Sequence, residues 1–102
     1  MRNRILNSMK NEVDSYRTEV FLHTKVGCHI CGVAEQMLKA LGRTLPLKIT
    51  KVLLTEGDEL FQRVPVVFLS DKLLTEGKID LEIVRAAVVR DRIESGNLNS
   101  NL

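Results

Sequence analysis

The stretch Glu19-Val-Phe-Leu-His-Thr-Lys-Val-Gly-Cys-His-Ile-Cys31 carries a short apolar run straight into a pair of cysteines. Val20, Phe21 and Leu22 form a run of strand length, too brief for a helix unless it ran on through Gly27, so the pattern predicts a strand over Glu19 to Thr24. Beyond Cys28, apolar residues fall at Ile30, Val33, Ala34, Met37, Leu38 and Leu41, the three-and-four spacing of a half-buried helix, with Gly42 as its stop. A strand that turns directly into a helix, with cysteines at the turn, has chemical as well as structural consequences.

A cysteine at that junction lies beside backbone N–H groups that have no partner within the helix, and near the positive end of the helix dipole. Both favour thiolate over thiol. Such surroundings lower a thiol pKa from about 8.5 to roughly 3.5–7.5, which makes Cys28 a candidate nucleophile at neutral pH. Cys31 is one turn further in, on the same side and within reach of a disulfide, and its deeper position keeps it protonated and shielded, so it reads as the resolving partner. Lys25 and His29 add one fixed and one titratable positive charge near the thiolate, and Gly27 allows a tight backbone turn.

The spacing alone leaves other chemistries open. Half of a zinc site has the same Cys-x-x-Cys pattern, so two chains could share a zinc ion or an iron–sulfur cluster through Cys28 and Cys31 of each. Within one chain no metal is expected, because there is no third cysteine, His23 belongs to the predicted strand and His29 lies between the two cysteines. The pair could also be two small buried hydrophobes, a reading that sits poorly with a preceding glycine and a helix start.

Further along, Pro46 opens a second predicted strand, Leu47 to Leu54, in which Leu47 and Ile49 alternate with polar residues before the run turns apolar. Thr55-Glu-Gly-Asp58 has the cap-and-acid spacing of a helix start, but Val64-Pro65 forces extended backbone, so at most two turns fit before Arg63. Val66 to Leu69 and Leu73-Leu74 flank Ser70-Asp71 and predict a hairpin, without the glycine that favours a two-residue turn. Asp80 is placed to cap a last helix in which Leu81, Val84 and Val88 make one stripe and which ends near Ile93. Strand, helix, strand, short helical turn, strand, strand, helix is the order of an α/β fold. The first two strands are parallel, the last two antiparallel, and the four-stranded mixed sheet is flanked by helices, expected on its two faces. His23 is expected to be a satisfied strand residue, and Met37 and Leu38 to be core.

At the N-terminus Ile5, Met9, Val13 and Tyr16 recur at spacings of four, four and three, with Leu6 beside the first. Residues 1–18 therefore read as an amphipathic segment, expected to lie on its own domain or to fray in preference to docking a partner or a second copy. Residues 19–93 make the domain. Residues 94–102, rich in Asn, Ser and Gly, are expected to be a loose tail.

Composition bounds the function. A chain of 102 residues, 44% hydrophobic and 27% charged, can bury one layered core without disulfide staples and is too short for two domains. Fifteen Lys and Arg against thirteen Asp and Glu leave +2, spread along the chain, so neither nucleic acid nor anionic lipid is an expected partner. No window approaches the ~18 consecutive apolar residues of a membrane span. Residues 1–10, MRNRILNSMK, have the basic flavour of a secretory leader but no apolar stretch or cleavage site follows, so a cytoplasmic location and a monomer are expected. In that reducing compartment paired cysteines read as redox or metal chemistry sooner than as a structural bridge.

Phe21-Leu-His-Thr-Lys-Val-Gly-Cys-His-Ile-Cys31 resembles the strand and active-site segment of glutaredoxins, and Arg63-Val-Pro-Val-Val-Phe-Leu69 resembles their proline loop and third strand. The similarity runs over about residues 19–92. It implies a thioredoxin-like fold with a shortened second helix, a cis Pro65 packed against the cysteines, and a Val64 backbone that pairs with the incoming substrate. It also implies a thiol–disulfide oxidoreductase without bound cofactor or metal, in which Cys28 attacks a protein or small-molecule disulfide and Cys31 releases the mixed disulfide. Lys25, Gly27, His29, Ile30, Val64 and Pro65 would surround the substrate.

Departures from the family pattern bear on the electron donor. Val26 stands where a proline is common, Ile30 where a tyrosine is common, and Leu74-Thr-Glu-Gly-Lys-Ile-Asp80 where glutathione-binding members carry Gly-Gly. Lys25 and Arg63 are available to glutathione's carboxylates, but Thr75-Glu76-Gly77 puts side chains and a repelling carboxylate where close backbone approach is needed. Glutathione is thus expected to be a weak co-substrate, with a dithiol or a disulfide reductase the better donor. The non-enzymatic alternative is a redox-inactive adaptor that binds extended peptides at Val64-Pro65.

Overall fold

Alternation along the first strand sorts the molecule into two faces. In the computed structural model, which describes residues 17–94, Val20 and Leu22 are fully buried on one side of β1 (Thr18–Thr24), and Phe21 and His23 point to the other. The chain continues through α1 (His29–Leu41), β2 (Leu47–Leu53), a 3-10 turn at Phe61–Arg63, β3 (Val66–Leu69), β4 (Lys72–Glu76) and α2 (Leu81–Glu94). The sheet order is β2-β1-β3-β4, with β1 parallel to β2 and antiparallel to β3, and with β3 and β4 antiparallel. This is the mixed four-stranded α/β sheet expected, thioredoxin-like, with its second helix reduced to the 3-10 turn.

Local signals explain the element ends. Asp80 caps α2, its Oδ1 accepting the backbone N–H of Glu82 at 3.0 Å and of Ile83 at 3.3 Å. Gly42 is the C-cap of α1, the stop the sequence predicts, and it sits in the right-handed region (φ −64°). The helix closes through Gly42 N–H to the Leu38 carbonyl (2.9 Å) and Leu45 N–H to the Leu41 carbonyl (3.0 Å). The β3–β4 hairpin turns at Ser70-Asp71 with Ser70 at φ 57°, doing without glycine.

The two helices do not take opposite faces. Ala34, Leu38 and Leu41 of α1 and Val84 and Val88 of α2 share one core with Val20, Leu22, Leu47 and Val67. Both helices therefore cover the same side of the sheet, which corrects the two-faced expectation. On the other side lies a smaller cluster of Cys31, Leu54, Val64 and Val66, with Cys28, Val52, Leu60, Phe61 and Phe68 packed against it. The predicted amphipathic segment falls outside the described residues except for Arg17 and Thr18, and the predicted tail except for Glu94. Among the described residues no helix is long and apolar enough to cross a membrane.

Candidate active site

The end of β1 delivers the chain to the start of α1 through one glycine. Gly27 takes φ +77°, a left-handed conformation that side chains rarely adopt, and Cys28 follows in extended backbone as the N-cap of α1. Cys28 does the work that Ser or Asp does at most helix starts. Its Sγ accepts the backbone N–H of Cys31 at 3.1 Å. The same donor that satisfies the helix end would stabilise negative charge on that sulfur.

Cys28 and Cys31 lie at disulfide distance and are bonded to each other, with Cα atoms 5.2 Å apart. Their exposures differ. Cys28 is half-buried at the surface, while Cys31 is only 4% exposed and packs among Leu54, Val64 and Val66. The Val64–Pro65 peptide bond is cis, as the resemblance implies, and both residues are buried, Val64 in the cluster that holds the two cysteines.

The residues singled out by sequence divide between two sides of α1. Lys25, Gly27, Cys28, His29 and Cys31 line one pocket of about 340 Å³. Ile30 faces the other way, 53% exposed. Two charged residues of the pocket escaped sequence reading, Glu35 and Lys51. Lys51 Nζ lies 3.3 Å and Lys39 Nζ 3.4 Å from Glu35 carboxylate oxygens. Burial pushes the Glu35 carboxyl up, but the hydrogen bonds and charges of Lys51 and Lys39 outweigh it and hold it below the ordinary carboxylate range. Glu35 was findable, since it stands four residues after Cys31 on the same helical side. Lys51 was not, because only the register that sets it opposite Leu22 brings it there.

Other assignments change in the folded chain. Lys25 Nζ lies 4.6 Å from the centre of the Phe61 ring, a cation–π contact. Arg63 is paired with Glu76, its Nε donating to Oε1 at 2.6 Å across an exposed ion pair, so a ligand carboxylate would compete with Glu76 for it. The same pairing offsets the Glu76 charge. His23 is not a satisfied strand residue, since its buried Nδ1 has no hydrogen-bond partner and its ring lies 4.9 Å from that of Phe68. Burial lowers its pKa, against the opposing charge of Asp58. Among the described residues no three His, Cys, Asp or Glu side chains gather where they could hold a metal ion.

No protein-family model matches the chain, and no curated protein matches it by sequence. The site has to be read from its own geometry. A bonded Cys-x-x-Cys pair at a helix start, one sulfur reachable and the other covered, is compatible with a redox-active site.

Proposed function

We propose that the protein is a thiol–disulfide oxidoreductase of glutaredoxin-like type that exchanges the Cys28–Cys31 dithiol and disulfide with disulfides of proteins or small molecules. The observation that carries the reading is the bonded pair with its accessible, N-capping Cys28 and its covered Cys31. In the reduced protein the Cys28 thiolate attacks one sulfur of a substrate disulfide, forming a mixed disulfide and releasing the first substrate thiolate. Cys31, after losing its proton to solvent, attacks Cys28 Sγ. The mixed bond breaks, the second substrate thiolate leaves, and the Cys28–Cys31 disulfide forms. Two electrons pass from protein to substrate, and a dithiol donor returns them by the reverse sequence. Val64 and Pro65 would flank the substrate on one side, and Lys25, Gly27 and His29 on the other. Burial of Cys31 also favours exchange over a metal shared between two chains, which needs both sulfurs within reach of a partner.

For the donor, the local contacts favour a dithiol or a disulfide reductase over glutathione. The Arg63 guanidinium is held by Glu76, and the Gly77 N–H already donates to the carbonyls of Arg63 at 3.0 Å and Pro65 at 2.8 Å. A small dianionic ligand would have to compete with Glu76 for Arg63 and with two carbonyls for the Gly77 N–H. A reducing compartment such as the cytoplasm suits this use of paired cysteines.

The test is the order of reaction. Iodoacetamide near pH 7 should alkylate the reduced protein mainly at Cys28, and Cys31→Ser should accumulate a mixed disulfide with a substrate that Cys28→Ser does not form. Preferential labelling of Cys31, or turnover by Cys28→Ser, would overturn the assignment.

A further inference from the structure

His23 is a titratable side chain that the proposed exchange does not use. It stands on β1 between Val52 of β2 and Val66 of β3, and its ring lies 4.9 Å from that of Phe68. Its Nδ1 is buried without a hydrogen-bond partner. Val52, Val66 and Phe68 all belong to the cluster that holds Cys28 and Cys31, so the ring borders the apolar surroundings of the two sulfurs.

The flanking strands face the ring with aliphatic and aromatic side chains only. The loop after β2 brings a charge: Asp58 acts on His23, while Lys25, just past the end of β1, is directed over Phe61. That loop is built on Asp58. Its Oδ2 accepts the Thr55 N–H at 3.0 Å, its own N–H donates to the Thr55 carbonyl at 2.9 Å, and its carbonyl accepts the Phe61 N–H at 3.1 Å. Phe61 opens the 3-10 turn and, with Leu54 and Leu60, packs in the cluster around Cys31. One residue therefore ties the exposed turn to the cover over the buried sulfur.

We infer that His23 is a proton-sensitive latch under this loop: when the ring takes up a proton, the loop loosens over the cluster and Cys31 becomes reachable from solvent. A neutral imidazole can carry its hydrogen on Nε2 and leave Nδ1 bare. The imidazolium must place an N–H on the buried Nδ1, where neither β2 nor β3 offers an acceptor. Relief comes from the loop side, from the Asp58 carboxylate or from water admitted past it. Either draws Asp58 away from Thr55 and disturbs the bond to the Phe61 N–H that starts the 3-10 turn. Burial holds the imidazole below its ordinary value in the closed form, and an opened ring returns toward about 6.5, so acid favours the open form. As a control on exchange the latch rests on the oxidoreductase reading, since an uncovered Cys31 is no longer reserved for Cys28 and the order of attack weakens.

The test reads the exposure of one sulfur. Cys28→Ser leaves Cys31 as the single thiol of the full-length chain. It is treated with 4,4′-dithiodipyridine, which reacts with thiols in mild acid: the Cys31 sulfur bonds to one half of the reagent and the other half leaves as the coloured thione. At each pH the rate for the folded protein is divided by the rate for the same chain in guanidinium chloride. That ratio should be flat above about pH 7 and rise below about pH 6.5, by at most about tenfold per pH unit, the limit for uptake of one proton. Adding His23→Phe should keep it flat. Asp58→Asn, which keeps a capping oxygen but removes the charge that favours protonation, should move the rise to lower pH. Circular dichroism at each pH follows the fold. A flat ratio with His23 present, a rise that survives His23→Phe or stays in place in Asp58→Asn, or one that coincides with loss of the helical signal would overturn the latch while leaving the oxidoreductase reading in place. A rise as expected, alongside failure of the Cys28 labelling and mixed-disulfide test above, would keep the latch and remove only its part in exchange.

Discussion

On one face of the sheet Val20, Leu22, Leu38, Val67, Val84 and Val88 lie under two helices, all aliphatic and almost without exposure. On the other, Val66 and Phe68 lie with the two cysteines in a smaller cluster beneath the 3-10 turn, its flanking loop and the start of α1, and the unpartnered His23 Nδ1 shares that face. The same alternating strands supply both faces. One has enough helix above it to bury branched side chains completely, while the thinner cover on the other leaves Cys28 reachable and an imbalance of polar atoms unrelieved. The difference teaches a division of labour: stability is concentrated beneath the helices, and reactivity at the start of α1, where the thinly covered face meets the helix end.

The largest effect should come from the helix-covered face. Leu38→Ala removes a fully buried side chain from that core and should cost about 3 kcal/mol in urea unfolding. The alkylation rate of Cys28 under native conditions should not change. If the rate does change, the two faces are mechanically coupled and the division fails. Next comes the cysteine pair itself. It closes a loop with a sequence separation of 3, and the chain-entropy argument gives such a short loop about 2 kcal/mol. Unfolding in denaturant with and without dithiothreitol reads this directly, and a change much larger than that would mean reduction loosens the cluster as well as cutting the loop.

The smallest effect belongs to His23. Burial holds its imidazole below the ordinary value of about 6.5, with Asp58 pulling the other way, so the unfolded chain takes up the proton first as the pH falls. The contribution of neutral His23 is therefore complete above about pH 6.5 and is lost as the pH is lowered below it, until the folded imidazole also protonates. His23→Phe should raise stability by about 1 kcal/mol by removing an unpaired buried nitrogen. It should also flatten the decline as the pH falls below about 6.5. Thermal unfolding of both proteins across that range separates the two effects, and an unchanged slope would show that another group sets the acid response.

Much of the site was legible because it is local. Gly27, Cys28 and Cys31 lie within one turn of a helix start, where backbone dihedrals and unpaired N–H groups are dictated by near neighbours. Arg63 and Glu76 were legible as charges but not as a pair. Their separation of 13 residues is bridged only by the β3–β4 hairpin, and the pairing joins an expected ligand contact, Arg63, to the carboxylate expected to repel the ligand, Glu76. His23 reads as an ordinary strand residue until its neighbours across the sheet prove to be Val52 and Val66, which offer its ring no polar atom.

By itself the sequence determined the order and type of the elements, the capping of α2 by Asp80, and a cysteine pair set at a helix start, because each depends on residues a few positions apart. Tertiary structure alone decided which face α2 covers. Period-two alternation says which residues share a side of the sheet, but the loop from Gly77 to Asp80 could carry a helix to either side, and only the fit of Val84 and Val88 against Val20, Leu22 and Leu38 selects one. It alone brought Lys51 from β2 to Glu35 on α1, and opened a groove between Ile30 and Ile79, through contacts that no short-range pattern encodes.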